Sequence, residues 1–95
     1  MITDELRGII LEVLKPWGVL RISLFGSVVR GEDSPKSDLD ILVQFREPVG
    51  LLTLARLRRE LSERLGRNVD LVTEAALSPY IRPFVERERM VIYEE

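Results

Sequence analysis

Residues 24–45 read LFGSVVRGEDSPKSDLDILVQF, and the fold turns on how this stretch is read. It holds two apolar runs, one ending in Gly26-Ser27 and the other opening on Asp38-Leu39-Asp40. Strands disfavour Asp, and two like charges on one face repel. Alternation along a strand puts Asp38 and Asp40 on the same side, about 7 Å apart along the chain. Leu39, Ile41, Val43 and Phe45 take the other side, which is the core. The carboxylate side requires either solvent at a strand end or a bound cation.

Outward from this pair of strands, the periodicity changes to that of helices. Leu6, Ile9, Ile10, Val13, Leu14 and Trp17 recur at helical spacing, with Thr3 as a cap and Asp4 and Glu5 in the first turn. Pro16 and Gly18 end that helix. Residues 19–25 form a buried strand, followed by a Gly-Ser turn and a short helix through Arg30. Residues 32–36 are a polar loop with a Ser-Pro step, and 39–45 are the second strand. Leu51, Leu54, Leu57, Leu61 and Leu65 define an apolar helical stripe closed by Gly66, a left-handed cap. Arg56/Glu60, Arg59/Glu63 and Glu60/Arg64 are spaced for ion pairs on its outer face. Residues 68–73 are a third strand. Ser78-Pro79 can start a last helix, kinked at Pro83 or beginning there. Residues 90–93 form a short closing strand. The order α-β-α-β-α-β-α-β predicts an α/β (α+β) fold, a small mixed sheet with helices packed on one face, as a single domain over residues 1–95.

Composition narrows the chemistry. The 95 residues are 45% hydrophobic and 32% charged, which suits one folded domain and argues against disorder. A net charge of −2 argues against a broadly basic nucleic-acid surface. There is no cysteine and no histidine, which removes disulfides, thiolate and imidazole metal sites, and histidine general bases. Catalysis would run on carboxylates, hydroxyls, arginine, lysine and backbone amides. The opening MITDELRGII carries charge throughout, so no leader or membrane span is expected there, and a cytoplasmic location follows by default.

Two carboxylates on one strand face suit Mg²⁺ or Mn²⁺, which take few protein ligands and complete their shell with water and phosphate oxygens. Two such ions stabilise the attacking and leaving oxygens of an in-line phosphoryl displacement. Asp70, in NVDLVT, interrupts a third apolar run in the same way. With that strand beside the second, Asp70 faces the same site as a ligand or as the base for an attacking hydroxyl. Gly26 allows a phosphate to approach the backbone, and Ser27 offers a hydroxyl and an amide. Arg30 and Lys36 supply positive charge. Taken singly, each feature also has a plain structural reading: a turn, a solvated strand cap, an edge-strand acid, or an Arg30 ion pair with Glu32 or Asp33. Only the joint order of the pieces argues for a site.

GSVVRG followed by SDLDILV resembles the signature of the DNA polymerase beta nucleotidyltransferase superfamily. The short length and the later NVDLV are similar to its minimal nucleotidyltransferases from bacteria and archaea. The resemblance implies a polymerase beta palm-like fold and Mg²⁺-dependent transfer of a nucleoside monophosphate from a nucleotide such as ATP. It implies that Gly26 and Ser27 bind phosphate, that Asp38 and Asp40 bind metal, that Asp70 is the third acid, and that Arg30 is the motif arginine. Val29 departs from the family pattern, in which a smaller residue is frequent.

The resemblance further implies a partner, an all-helical HEPN-class RNase toxin encoded nearby. Some members act as antitoxins by moving AMP from ATP onto a toxin tyrosine. A 95-residue chain leaves no room for an acceptor-binding domain, so a homo- or hetero-oligomer is expected. Two other readings use the same residues. One is an antitoxin that acts by binding alone, and the other is a metal-dependent nuclease, which a Gly-Ser triphosphate seat and the lack of a basic stripe disfavour.

Overall fold

Local signals set the element boundaries almost to the residue. The computed structural model describes residues 2–32, 34 and 37–95. Helix α1 (Asp4–Leu14) starts where the Leu6 N–H donates to Thr3 Oγ1 at 3.1 Å. A 3₁₀ turn, Lys15–Trp17, then leads to Gly18, whose left-handed backbone reverses the chain into β1 (Val19–Phe25). Helix α2 (Ser27–Arg30) and strand β2 (Leu39–Phe45) follow. Helix α3 (Leu51–Leu65) crosses over to β3 (Val69–Thr73), and a 3₁₀ turn, Glu74–Ala76, leads towards α4 (Arg82–Glu88) and β4 (Met90–Glu94). Pro83 is tolerated because it lies in the first turn of α4, where its missing N–H has no helical partner to lose.

The sheet has the order β3-β2-β1-β4. β1 is antiparallel to both β2 and β4, and β2 is parallel to β3. The parallel β2–β3 pair needs a crossover connection, which α3 supplies, and the segment carrying α4 makes a second crossover from β3 to β4 at the other edge. Ile22, Leu24, Leu39, Ile41, Val43, Val69, Leu71 and Ile92 face α1 and α3, where they meet Ile10, Val13, Leu14, Leu57 and Leu61. The helices therefore pack on one sheet face as the pattern predicts, with α4 as an exception. Leu42 is fully buried on the opposite face with Leu77 and Val85, backed by Phe25 and Val72. These out-of-phase apolar residues require cover, and the C-terminal segment provides it.

Two details of α3 differ from the sequence expectation. Leu51 is 85% exposed rather than part of the core stripe. On a 3.6-residue helix it points about 100° away from the direction shared by Leu57 and Leu61, in the first turn. The i,i+4 pairs are also absent among the described residues. Arg64 instead reaches Glu12 of α1 at 2.7 Å, because the neighbouring helix offers a carboxylate at better range.

A buried polar cluster fastens the C-terminal segment to the sheet. Ser23, fully buried, accepts from Arg89 Nη2 at 2.7 Å and Nε at 3.0 Å. The Glu74 carboxylate accepts from Arg89 at 2.7 Å and from Arg21 at 2.8 and 3.0 Å. Glu86 and Glu94 supply further negative charge to the two guanidinium groups. Burial alone would raise the Glu74 carboxyl, but the hydrogen bonds from Arg21 and Arg89 and their charges bring it from 4.5 down to about 2.

The folded pKa of Glu74 thus lies below its ordinary value. Its contribution, on the order of 3 kcal/mol, is complete above about pH 4.5 and fades as pH falls towards 2. Glu74→Gln should lower stability at pH 7 by roughly 3 kcal/mol, since it leaves the buried Arg89 side chain and the part-buried Arg21 short of a counter-charge. Denaturant unfolding between pH 2 and 7 checks this. A variant whose stability falls as steeply with acid as the parent's assigns the titration to another carboxylate.

Candidate active site

The turn between β1 and α2 is shaped by one steric fact. Gly26 sits at φ 78°, ψ −149°, and a Cβ built there would lie 2.1 Å from Oδ2 of Asp40. Both the dihedral and the contact demand glycine. The sequence points to a glycine that lets phosphate approach; the neighbour packed against its Cα is the carboxylate of Asp40. Beyond it, the Val29 and Arg30 N–H groups donate to the Gly26 carbonyl, and Gly31 closes the short helix in the left-handed region. The Ser27 hydroxyl makes no hydrogen bond to another described residue, so it is available to a ligand. With only four residues, α2 contributes local N–H groups rather than a sizeable dipole.

The carboxylates converge through strand register. Phe25 is opposite Asp40 across the antiparallel β1–β2 pair, which brings the end of β1 and its glycine beside this acid. Asp40 is opposite Asp70 across the parallel β2–β3 pair. In-register neighbours on one face lie about 5 Å apart, so the two carboxylates share a site. Asp40 is half-buried, and its pKa is raised, first by burial and then by the charges of Asp70 and Asp38, with Glu88 adding to them and Arg30 opposing. Asp70 and Asp38 are exposed. Asp38, just before β2, accepts from Asn68 Nδ2 at 3.0 Å, while the Leu39 N–H donates to the Asn68 carbonyl at 2.9 Å. Asn68 therefore ties the start of β2 to the start of β3 and aims Asp38.

Of the residues singled out from the sequence, Gly26, Ser27, Asp38, Asp40 and Asp70 gather at one end of the sheet, on the face that α1 and α3 leave open. Arg30 is at the rim, where it donates to Glu32 at 2.8 Å and to Glu88 at 2.9 and 3.1 Å. Lys36 lies outside the described residues. Sequence reading missed Asn68, although an Asn directly before a strand that carries an acid is a visible signal. It also missed Glu88, whose Oε1 accepts the Gly26 N–H at 2.6 Å. No pattern near residue 88 connects it to residue 26, 62 positions earlier.

Asp38, Asp40 and Asp70 could hold a hard cation. The donors are oxygen only, since the chain has no histidine or cysteine. Among the described residues no three acidic side chains close into a complete metal cage. The raised pKa of Asp40 marks negative charge that a cation would relieve. Among the described residues no helix is long and apolar enough to cross a membrane.

Comparison with known proteins agrees with this geometry. The nucleotidyltransferase domain family matches residues 6–92. Protein adenylyltransferase MntA of Thermococcus cleftensis is 44% identical over 82 residues, spanning 86% of this chain and 81% of that one. In fold, a solved toxin-antitoxin structure with AMP-PNP superposes with a TM-score of 0.85 at 24% identity, over 94% of this chain and 73% of that one. A solved complex of tri-AMPylated Shewanella oneidensis HEPN toxin with its MNT antitoxin gives 0.81 at 21%, over 99% and 74%. A glycine turn against an acid-bearing strand pair, matched over nearly its whole length, places this chain in the nucleotidyltransferase domain family.

Proposed function

We propose that this nucleotidyltransferase moves AMP from ATP onto a hydroxyl of a protein partner, a tyrosine of a HEPN-class RNase, and so acts as an antitoxin. The observation that carries the reading is the register that sets Asp40 beside Asp70 and against Gly26. It joins an acidic metal site to a turn with a free hydroxyl, which is the arrangement that phosphoryl transfer to an alcohol requires. Relatives named protein adenylyltransferases, and a solved neighbour containing an AMPylated HEPN toxin, support the donor and the acceptor class.

In this mechanism Ser27, through its hydroxyl and amide, holds the phosphates of ATP. Arg30 neutralises part of their charge from the rim, a task Lys36 shares. Asp38 and Asp40 would hold Mg²⁺, which would neutralise phosphate charge that develops as the bond breaks. Asp70 orients the acceptor hydroxyl and takes its proton. The acceptor oxygen bonds to the α-phosphorus as the bond to the diphosphate leaving group breaks. AMP remains on the protein, diphosphate departs, and the proton is on the Asp70 carboxylate. No histidine is needed, because an exposed carboxylate beside a metal-bound substrate can accept that proton.

Two variants separate binding from chemistry. Asp70→Asn should reduce transfer of labelled AMP by roughly 10²–10⁴-fold while ATP affinity persists. Asp38→Asn/Asp40→Asn should abolish the metal dependence of ATP binding, and calorimetry with and without Mg²⁺ reads this directly. Transfer at the parent's rate by Asp70→Asn would remove that residue from the mechanism. Intact ATP and HEPN-partner binding without any transfer would leave an antitoxin that acts by binding alone.

Ser27→Ala tests the phosphate seat. Losing one hydrogen bond to a charged group should weaken ATP binding by roughly 1–3 kcal/mol. The melting temperature should hardly change, since this hydroxyl supports no other described residue. A variant that binds ATP normally and melts early would make the serine structural.

A further inference from the structure

Among the described residues Glu88 is the one anion in direct contact with both the glycine and the arginine of the GSVVRG turn, and the transfer chemistry leaves it without a task. It is the last residue of α4, and its side chain is 28% exposed. Oε1 accepts the Gly26 N–H at 2.6 Å and an Arg30 Nη1 hydrogen at 2.9 Å, while Oε2 lies 3.1 Å from the same nitrogen. A backbone N–H at a glycine turn and a guanidinium are the donors that recognise a phosphate group. The carboxylate also stands within electrostatic reach of Asp40, itself beside Asp70. A fourth negative charge is unfavourable in that neighbourhood unless strong donors hold it.

We propose that the Glu88 carboxylate occupies the seat of a nucleotide phosphate, and that ATP binds by exchanging its own phosphate oxygens for this carboxylate on Gly26 and Arg30. The proposal rests on the nucleotidyl-transfer reading and deepens it. In the nucleotide-free protein Glu88 keeps the Gly26 N–H and the Arg30 guanidinium paired. On binding, the carboxylate is released to solvent, because the phosphate charge excludes it. Nucleotide affinity is therefore set partly by the strength of an internal competitor. A ligand without phosphate does not meet that competitor.

Two substitutions and one measurement on the parent protein test this. Glu88→Gln removes the charge and keeps the shape, and Glu88→Ala removes the competitor altogether. Both should bind ATP with Mg²⁺ roughly tenfold more tightly than the parent, the scale of one charge-assisted hydrogen bond, with adenosine binding unchanged. In the unsubstituted protein, carbon-13 NMR of the glutamate carboxyls should show the Glu88 signal moving to that of a solvated side chain as AMP-PNP with Mg²⁺ is added. A Glu88 signal that stays in place, or variants that fold and bind ATP equally or more weakly, would overturn the exchange and make Glu88 a structural clip or a ligand to the cation. If the parent binds ATP and the variants bind no better, only the exchange fails. If neither the parent nor the variants bind ATP, the nucleotidyl-transfer reading fails and takes the exchange with it.

Discussion

The absence of a side chain at residue 26 is the constraint on which the site depends. With 2.1 Å between Oδ2 of Asp40 and the place a Cβ would occupy, and a positive φ besides, any other residue type would have to displace that carboxylate and adopt a backbone L side chains rarely take. That vacancy lets β1 end directly beside the acid-bearing strand. The Asp40 carboxylate is then buried enough to have its pKa raised, yet remains open at the sheet end. The reverse is equally informative. An alanine at position 40 would relieve the crowding at Gly26 but leave its positive φ, which by itself favours glycine.

The electrostatic cost of the site is carried by the hydrophobic packing beneath it. Asp40 is flanked in β2 by Leu39 and Ile41, both fully buried, and Asp70 in β3 by Val69 and Leu71, both buried. Each such aliphatic side chain contributes roughly 1.5–3 kcal/mol on burial. That outweighs the repulsion between carboxylates which face a partly solvated edge, where effective dielectric is high. Further along the same face, Arg21, Glu74, Arg89 and Ser23 resolve the same kind of difficulty by pairing charge with charge. One polar cluster is satisfied and rigid. The other is left with negative charge in surplus.

Much of this was legible in the sequence, for definite reasons. Period-two alternation placed Asp38 and Asp40 opposite the core residues Leu39, Ile41 and Val43. Glycines at 18, 31 and 66 all take positive φ at helix or turn ends, and of these the ones at 18 and 66 announced themselves by position. What could not be read depends on contacts distant in sequence. The cover over Leu42 comes from residues 77 and 85, the partner of Arg64 from residue 12, and the acceptor of the Gly26 N–H from residue 88. Propensity and periodicity carry no information about such pairs. The exposure of Leu51 is the converse case, in which a correct helical pattern runs one turn past the surface that it covers.

The wide spacing of these contacts also orders events during folding. Asp40 and Asp70 become neighbours only after the α3 crossover has docked and β3 has added in parallel, a slow kind of closure. Gly26 acquires its acceptor later still, when chain that is synthesised some sixty residues afterwards has returned to the sheet as α4 and β4. A chain emerging from the ribosome therefore displays the GSVVRG turn long before the pocket around it exists. The acid-lined end of the sheet is therefore a property of the finished fold and of no shorter stretch of chain.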